Sequence, residues 1–178
     1  MSPWRVVAYD AAWPEQFASA STEILTAVGS RFLRLEHIGS TSVPGLVAKP
    51  DHRHDGHRAA PAGRACRPSR PRRARLRAGR HGHAGPTVLQ HRDRNDTPTH
   101  HLHVVPEATW ATRNERLLRD HLRGHPKQAR RYGELKLRLA RDLGPGEAYT
   151  RAKTALIQEL VDAARDALGL PRLPVWEE

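Results

Sequence analysis

Residues 37–50 read His-Ile-Gly-Ser-Thr-Ser-Val-Pro-Gly-Leu-Val-Ala-Lys-Pro, and the interpretation of the whole chain starts from this stretch. The residues before it, 31–38, include four large apolar side chains and predict a partly buried strand. After such a strand Gly39 permits a tight turn, and the hydroxyl and amide groups of Ser40 and Thr41 can surround an anion. Taken alone, the same residues are also typical of a polar turn that caps a helical turn.

The length and the cysteine content limit the architecture. The 178 residues suffice for one domain with a core, and we predict a single domain over residues 1–170 followed by a tail, 171–178. Cys66 is the only cysteine, which excludes an intramolecular disulfide and a zinc site built on several thiolates. The N-terminus has no long apolar run and no signal-peptide pattern, so we expect a cytoplasmic protein without a membrane partner. The sequence does not indicate an oligomeric state.

The net charge of +11 is concentrated in one segment. Residues 51–96 hold 12 arginines, no lysine and 4 aspartates, a net charge of +8, whereas the other 132 residues have 18 basic and 15 acidic side chains. A protein that binds nucleic acid through the Arg-rich segment is therefore an alternative hypothesis. Because the rest of the chain has an ordinary charge, the main hypothesis has no nucleic-acid partner.

Residues 51–96 are also poor in apolar side chains. The only large aliphatic residues are Leu76, Val88 and Leu89, too few to offset the entropy lost on ordering, and the segment is predicted to be disordered or poorly packed. Its histidines raise a third hypothesis, a Zn²⁺ or Ni²⁺ site. The histidines in question are His52, His54, His57, His81 and His83.

The complete run at 37–50 resembles the signature of the GrpB family in the nucleotidyltransferase-fold superfamily, His-Ile-Gly-Ser-Thr-x-Val-Pro-Gly-Leu-x-Ala-Lys-Pro. The residues from Tyr9 to Phe17 match the family's Tyr-Asp-x-x-Trp-Pro-x-x-Phe opening. Residues 119–126 match its Arg-Asp-Tyr-Leu-Arg-x-His-Pro pattern, with His121 where an aromatic residue is usual. The resemblance covers roughly residues 4–50 and 97–165 and fails in between.

The break after Pro50 has an explanation at the level of the coding sequence. With suitable synonymous codons, reading residues 51–57 one base later gives Ile-Ile-Asp-Met-Met-Val, a buried strand with an embedded carboxylate, as in the GrpB pattern. The same offset turns residues 88–96 into Phe-Tyr-Ser-Thr-Ala-Thr-Gly-Thr, which is more typical of a strand. We therefore predict that residues 51–96 are read in a shifted frame; the alternative is a genuine basic, disordered arm.

Periodicity predicts the remaining elements. An extended segment is expected at 4–9 and a strand at 100–105, with His101 and His103 on one face, where they can reach one ligand or be ordinary polar positions. Helices are expected at 15–29, 115–123, 129–143 and 147–168. Together with the resemblance, these elements predict an α+β fold: a nucleotidyltransferase-like mixed sheet flanked by helices, interrupted by the Arg-rich segment.

The resemblance implies a pocket for a nucleotide or another phosphorylated small molecule. The residues expected to bind the phosphates are Gly39, Ser40, Thr41, Lys49, His101, His103, Arg119, Lys136 and Lys153. Helical propensity alone would make Lys136 and Lys153 solvated positions. Mg²⁺ is the expected cofactor, with Asp51 and Asp55 as the available carboxylates. Because neither is embedded in an apolar strand, we expect weak or absent nucleotidyl transfer, and a nucleotidyltransferase if the chain is active.

Overall fold

The computed structural model describes residues 5–28, 33–49, 55–60, 76–78, 87–92, 98–144 and 146–175, with the backbone alone at 27–28 and within 55–100. The chain groups into two compact units. We call the first the helical unit, which comprises Met1–Ala11, Gly39–Pro50 and Thr112–Glu178. The second, the sheet unit, comprises Ala12–Ile38 and Asp51–Ala111.

The sheet unit contains a five-stranded sheet in the order β1-β2-β5-β4-β3. Its strands are β1 (His37–Ile38), β2 (Asp55–Ala60), β3 (Leu76–Ala78), β4 (Thr87–Arg92) and β5 (Pro98–Pro106). Strands β2 and β5 run parallel, with Gly56 opposite Leu102, and every other neighbouring pair is antiparallel. The mixed sheet expected from the resemblance is confirmed.

The central strand β5 is the predicted strand 100–105, extended at both ends. Leu102 is buried, whereas His101 and His103 are half-buried, as the alternation of side chains along a strand requires. A short helix not expected from the sequence pattern, α2 (Glu107–Trp110), follows directly. Trp110 at its end is buried, as expected of a large aromatic side chain.

Three of the five strands lie inside the Arg-rich segment. Strands β2, β3 and β4 occupy backbone that was predicted to be disordered or poorly packed; their backbone is paired in a sheet rather than disordered, and the prediction of poor packing falls on side chains outside the described residues. The prediction relied on the low content of apolar side chains, whereas the hydrogen bonds of a sheet are made by backbone groups that every residue except proline supplies in full. Conversely, the strand predicted at 31–38 is reduced to His37–Ile38, with 33–36 outside any strand and 31–32 outside the described residues.

The first helix also belongs to the sheet unit. Helix α1 (Trp13–Val28) confirms the prediction of a helix at 15–29 and begins two residues earlier, at the buried Trp13. The Phe17 ring stacks on the His37 ring of β1, with 4.8 Å between centroids and 5° between planes. This aromatic pair fixes α1 against the edge strand of the sheet.

The helical unit is built from four helices. These are α3 (Asn114–Gly124), α4 (Pro126–Leu143), α5 (Glu147–Ala152) and α6 (Thr154–Asp166). The apolar faces of α3, α4 and α6 bury a common core with the loop that follows Gly39. The core residues are Val43, Leu46, Leu122, Ala129, Tyr132, Leu156, Ile157, Leu160 and Val161.

The predicted helix at 147–168 is interrupted at Lys153. The Lys153 amide donates to the Thr150 carbonyl oxygen at 3.3 Å, which tightens the turn and breaks the usual helical ladder. Helix α6 then starts at Thr154, and the predicted single helix becomes α5 and α6. The helices predicted at 115–123 and 129–143 are confirmed as α3 and α4.

The residues after α6 pack back on the helical unit. Arg165 of α6 is 2% exposed and donates to the Thr112 carbonyl oxygen at 3.0 Å and to Asn114 Oδ1 at 2.7 Å. Its Nε donates to the carbonyl oxygen of Pro171. None of the helices within the described residues is both long and apolar enough to cross a membrane. The single domain over 1–170, the tail at 171–178 and the cytoplasmic location stay predictions.

Candidate functional site

The Gly-Ser turn begins with a backbone conformation that favours glycine. Gly39 has φ of 75° and ψ of −174°, and residues Ser40–Ser42 then form one 3₁₀ turn. The Ser42 hydroxyl donates to the Gly39 carbonyl oxygen at 2.6 Å, and the Ser42 amide donates to the same oxygen at 3.1 Å. These two bonds close the turn and hold Ser40 at its start.

A second turn carries the chain into the helical core. The Leu46 amide donates to the Val43 carbonyl oxygen at 3.1 Å, and Gly45 between them has φ of 76°. Proline followed by glycine suits a turn with one positive φ. Ala48 then exchanges two backbone hydrogen bonds with Val7, at 2.8 and 3.0 Å. The extended segment predicted at 4–9 is represented by this bridge, and Trp4 lies outside the described residues.

Lys136 of α4 holds both ends of this loop. Its Nζ donates to Ser40 Oγ at 2.8 Å and to the Val47 carbonyl oxygen, and it lies 4.7 Å from the centroid of the Tyr132 ring. The side chain is 3% exposed. The interpretation of Lys136 as a solvated helix position is therefore wrong, and the residue lies beside the Gly-Ser turn; its role in phosphate binding stays a prediction.

Two arginines of α3 complete the surroundings of the turn. Arg123 donates from Nε and Nη2 to the Ser42 carbonyl oxygen, at 2.9 and 2.7 Å. Arg119 is 6% exposed, donates to Asp120 Oδ1 at 2.7 Å, and lines a cavity of about 60 Å³ together with Gly39. This cavity has room for several water molecules or one small polar group.

Lys49 and Lys153 approach the same aromatic ring. The Lys49 Nζ lies 5.0 Å from the centroid of the Tyr149 ring, and the Lys153 Nζ lies 4.4 Å from it. Tyr149 is 2% exposed, so the ring is fixed by its surroundings. Cations within about 6 Å of an aromatic face are attracted to it. We call Lys49, Lys136 and Lys153, with Tyr149, the lysine cluster.

The lysine cluster is unusual for the composition of this chain. The sequence contains 26 arginines but only four lysines, and three of the four lie in the cluster. The fourth, Lys127, is exposed near the start of α4. An ammonium is a compact charge whose pKa responds to burial, whereas a guanidinium stays protonated. The use of lysine here therefore points to anion binding or proton transfer more than to surface charge.

The surroundings of Lys136 disfavour its protonated form. Burial, and then the positive charge of Lys153, lower the pKa of the Lys136 ammonium well below its ordinary value. Among the described residues, no carboxylate is paired with Lys136 to offset these effects. An anion held by Lys49 and Lys153 would offset the positive charge of those two ammonium groups.

The remaining predicted residues are distributed as follows. Thr41 is buried within the 3₁₀ turn. His101 and His103 lie on β5 in the sheet unit, so their predicted role in phosphate binding stays a prediction. The histidines of the proposed Zn²⁺ or Ni²⁺ site fall outside the described residues or, for His57, have only a described backbone.

Magnesium does not fit the described donor set. Mg²⁺ prefers carboxylate, phosphate and water oxygens, whereas the lysine cluster repels cations. No group of three or more His, Cys, Asp or Glu side chains lies together in the described part of the chain. Asp51 lies outside the described residues, and Asp55 is described only as backbone of β2. The expectation of Mg²⁺ therefore stays a prediction that depends on these two residues.

Two contributors were not among the residues predicted from the sequence. Arg123 and Tyr149 lie at positions that match motifs, but neither was assigned to the site. A guanidinium near the end of a helix is usually solvated, and a tyrosine at helical spacing is usually a core residue. Only the close approach of α3 to the loop reveals that Arg123 binds the Ser42 carbonyl oxygen.

A model of the GrpB protein family matches the chain at residues 3–51 and 72–163. The first range contains the Gly-Ser turn, and the second contains the helices that supply Arg119, Lys136 and Lys153. The unmatched interval, 52–71, lies inside the segment at which the resemblance was expected to fail. It is shorter than that segment, because the match resumes at residue 72 rather than 97.

Individual relatives agree with this match. The chain is 35% identical to the UPF0157 protein PA4798 of Pseudomonas aeruginosa over 181 residues, covering 94% of this chain and 70% of that protein. It is 30% identical to the UPF0157 protein YqkA of Bacillus subtilis over 137 residues, 76% of this chain but only 39% of that protein. The crystal structure of conserved protein GrpB from Enterococcus faecalis aligns with a TM-score of 0.74 and 26% identity, covering 93% of this chain and 99% of that chain.

Proposed function

This chain belongs to the GrpB family, and we propose that its Gly-Ser turn and lysine cluster bind the phosphate of a nucleotide or another phosphorylated small molecule. We propose further that the fold is nucleotidyltransferase-like, which the mixed sheet supports. Nucleotidyl transfer itself is expected to be weak or absent, because no group of three or more His, Cys, Asp or Glu side chains that could hold a metal ion lies together within the described residues.

One observation carries the proposal. Lys49 and Lys153 bring two ammonium groups to within 5.0 and 4.4 Å of the Tyr149 ring centroid, and the buried Lys136 near Lys153 is bonded only to neutral oxygens, those of Ser40 and Val47, within the described residues. A cluster of like charges that is partly withdrawn from water is stabilised by an anion of opposite charge. Phosphate suits a group of ammonium donors because each of its oxygens can accept a charge-assisted hydrogen bond.

Binding of phosphate compounds tests the proposal directly. The melting temperature of the full chain is measured with inorganic phosphate, pyrophosphate, AMP, ADP and ATP, and the affinity of the best ligand follows by calorimetry. We expect saturable stabilisation by at least one of them. Lys49→Met and Lys153→Met should each weaken binding about tenfold or more, since one hydrogen bond to a charged group contributes about 1.5–3 kcal/mol.

Lys127→Met is the matched control, because it removes the one lysine that lies outside the cluster. It should change the affinity only slightly, through weak screened charge effects. A folded protein that no phosphate compound stabilises would contradict the proposal, and so would equal losses for the Lys127 and Lys153 variants. Titrations with EDTA and with added Mg²⁺ test the separate expectation of a metal cofactor.

The alternative of nucleic-acid binding through residues 51–96 depends on side chains outside the described residues. It stays a prediction, tested by the salt dependence of binding to DNA or RNA.

A further inference from the structure

Ser40 and Lys136 form a pair whose geometry differs from that of an ordinary surface hydrogen bond. The Ser40 Oγ and the Lys136 Nζ are 2.8 Å apart, within the range for a nucleophile and its base. The Val47 carbonyl oxygen can only accept, so Lys136 must donate one N–H to it. When Lys136 is neutral, its lone pair is left for the Ser40 hydroxyl proton.

The surroundings favour that neutral form. Burial and the nearby charge of Lys153 lower the pKa of Lys136 well below its ordinary value, and an amine with a lowered pKa is a competent general base. Ser40 is only half-buried and lines the 60 Å³ cavity beside Arg119. The hydroxyl is therefore open to a small reactant while its base is shielded from water.

We propose that Ser40 and Lys136 are a nucleophile and general base that accept an acyl group from an acyl phosphate, a mixed anhydride of a carboxylic and a phosphoric acid. The phosphate part of this substrate class rests on the proposed function, since Lys49 and Lys153 would hold it. The nucleophile pair itself rests on the Ser40–Lys136 geometry alone. Serine activated by lysine is a recognised variant of nucleophilic catalysis.

The chemical step balances without a metal ion. Ser40 Oγ attacks the carbonyl carbon, and a new Oγ–C bond forms while the C–O bond to the phosphate breaks. The electron pair of that bond leaves on the phosphate oxygen. The Ser40 proton moves to Lys136 Nζ and then to the departing phosphate. Arg119, whose Nε donates to Asp120 Oδ1 at 2.7 Å, lines the same cavity together with Glu115, and its guanidinium would supply positive charge for the oxyanion that develops on the carbonyl.

The test uses two acyl donors on the full chain. The first is p-nitrophenyl acetate, which carries no phosphate and reports the nucleophile pair alone. The second is acetyl phosphate, which belongs to the proposed substrate class. Release of p-nitrophenolate is followed by absorbance, and the acetylated residue is located by peptide mass spectrometry. We expect acetylation of Ser40 by both donors.

Three variants separate catalysis from structure. Ser40→Ala should abolish the adduct at this position, and Lys136→Met should slow its formation about 100-fold, the usual contribution of a general base. Lys136→Arg keeps the hydrogen-bond donors but cannot act as a base, so it should also be slow if it folds. Ser19→Ala, at an exposed position of α1, is the control and should react like the unmodified chain.

The pH dependence of the rate of Ser40 acetylation distinguishes a general base from a lysine with a purely structural role. The rate of Ser40 acetylation should rise with pH and level off once Lys136 is neutral, at a pH below the ordinary pKa of lysine. A rate that rises in proportion to hydroxide concentration over the whole range would overturn the inference. The absence of any adduct at Ser40 in the folded chain would also overturn it.

The outcomes for this pair and for the proposed function can be told apart. Stabilisation by phosphate without acetylation of Ser40 by either donor overturns the nucleophile pair and leaves phosphate binding intact. Acetylation by p-nitrophenyl acetate without any response to phosphate compounds or acetyl phosphate supports the pair but overturns the proposed substrate class.

Discussion

Arg123 donates two hydrogen bonds to the carbonyl oxygen of Ser42, from Nε at 2.9 Å and from Nη2 at 2.7 Å. The two residues lie 81 positions apart in the sequence. The bond pair joins the end of α3 to the turn that presents Ser40. The position of the candidate nucleophile is thus set by α3 on one side and by Lys136 of α4 on the other.

The first prediction concerns this arginine. Arg123→Met leaves the carbonyl oxygen of the buried Ser42 without its charged donor and should lower the free energy of unfolding by about 1.5–3 kcal/mol. The measurement is urea denaturation followed by circular dichroism. Arg138→Met, at an exposed position of α4, is the control and should stay within about 0.5 kcal/mol of the parent chain. Equal effects of the two substitutions would show that the Ser42 contact contributes nothing.

The second prediction concerns Arg165, whose guanidinium joins α6 to two other segments. Arg165→Met should destabilise the chain by about 3 kcal/mol or more, because the three acceptors it serves lose a charged donor in a buried position. Arg172→Met removes an exposed ion pair with Asp166 and should cost less than about 1 kcal/mol. Denaturant titration distinguishes the two, and similar midpoints for both variants would refute the assignment.

The third prediction is a pH dependence that originates at His121. Burial, and then the charge of His125, lower the pKa of His121. The folded protein therefore binds this proton less readily than the unfolded chain, in which the pKa is about 6.5. His121 therefore makes its full contribution to the free energy of unfolding above about pH 6.5. This contribution should fall as the pH is lowered through the pKa of His121 in the folded protein.

His121→Phe provides the measurement. The Nε2 atom of His121 is buried and has no hydrogen-bond partner among the described residues, so phenylalanine should be tolerated. Unfolding free energies between pH 8 and pH 5 should decline less steeply in the variant than in the parent chain. An unchanged slope would assign the pH dependence to other groups.

These predictions also show what the sequence could and could not reveal. Apolar spacing predicted α1, α3 and α4 well, because a helix that packs on one face repeats its pattern locally. It missed the division of the last helix at Lys153, which depends on a single shifted hydrogen bond. Strands β2 to β4 were missed because their pairing is made by backbone groups that composition does not record.

Part of the candidate site could be predicted from the sequence, and the part that depends on tertiary packing could not. Ser40, Lys136 and Lys153 were assigned through the family resemblance, whereas the burial of Lys136 depends on the approach of α4 to the loop. No local pattern encodes that approach. The shifted reading frame of residues 51–96 stays a prediction as well. Sequencing the coding DNA between the codons for Lys49 and His100 would decide it.

The last prediction compares two glycines that both have open space at the Cβ position but differ in backbone conformation. Gly45 has φ of 76°, and a Cβ there would meet nothing within 4 Å, so Gly45→Ala tests the cost of the left-handed conformation alone. It should destabilise the chain by about 1–2 kcal/mol. Gly124, the last residue of α3, also has open space but no positive φ. Gly124→Ala should therefore stabilise the chain by about 0.4–1 kcal/mol through the lower entropy of the unfolded state. Thermal and urea unfolding of both variants give the comparison, and shifts of the same sign would contradict the conformational argument.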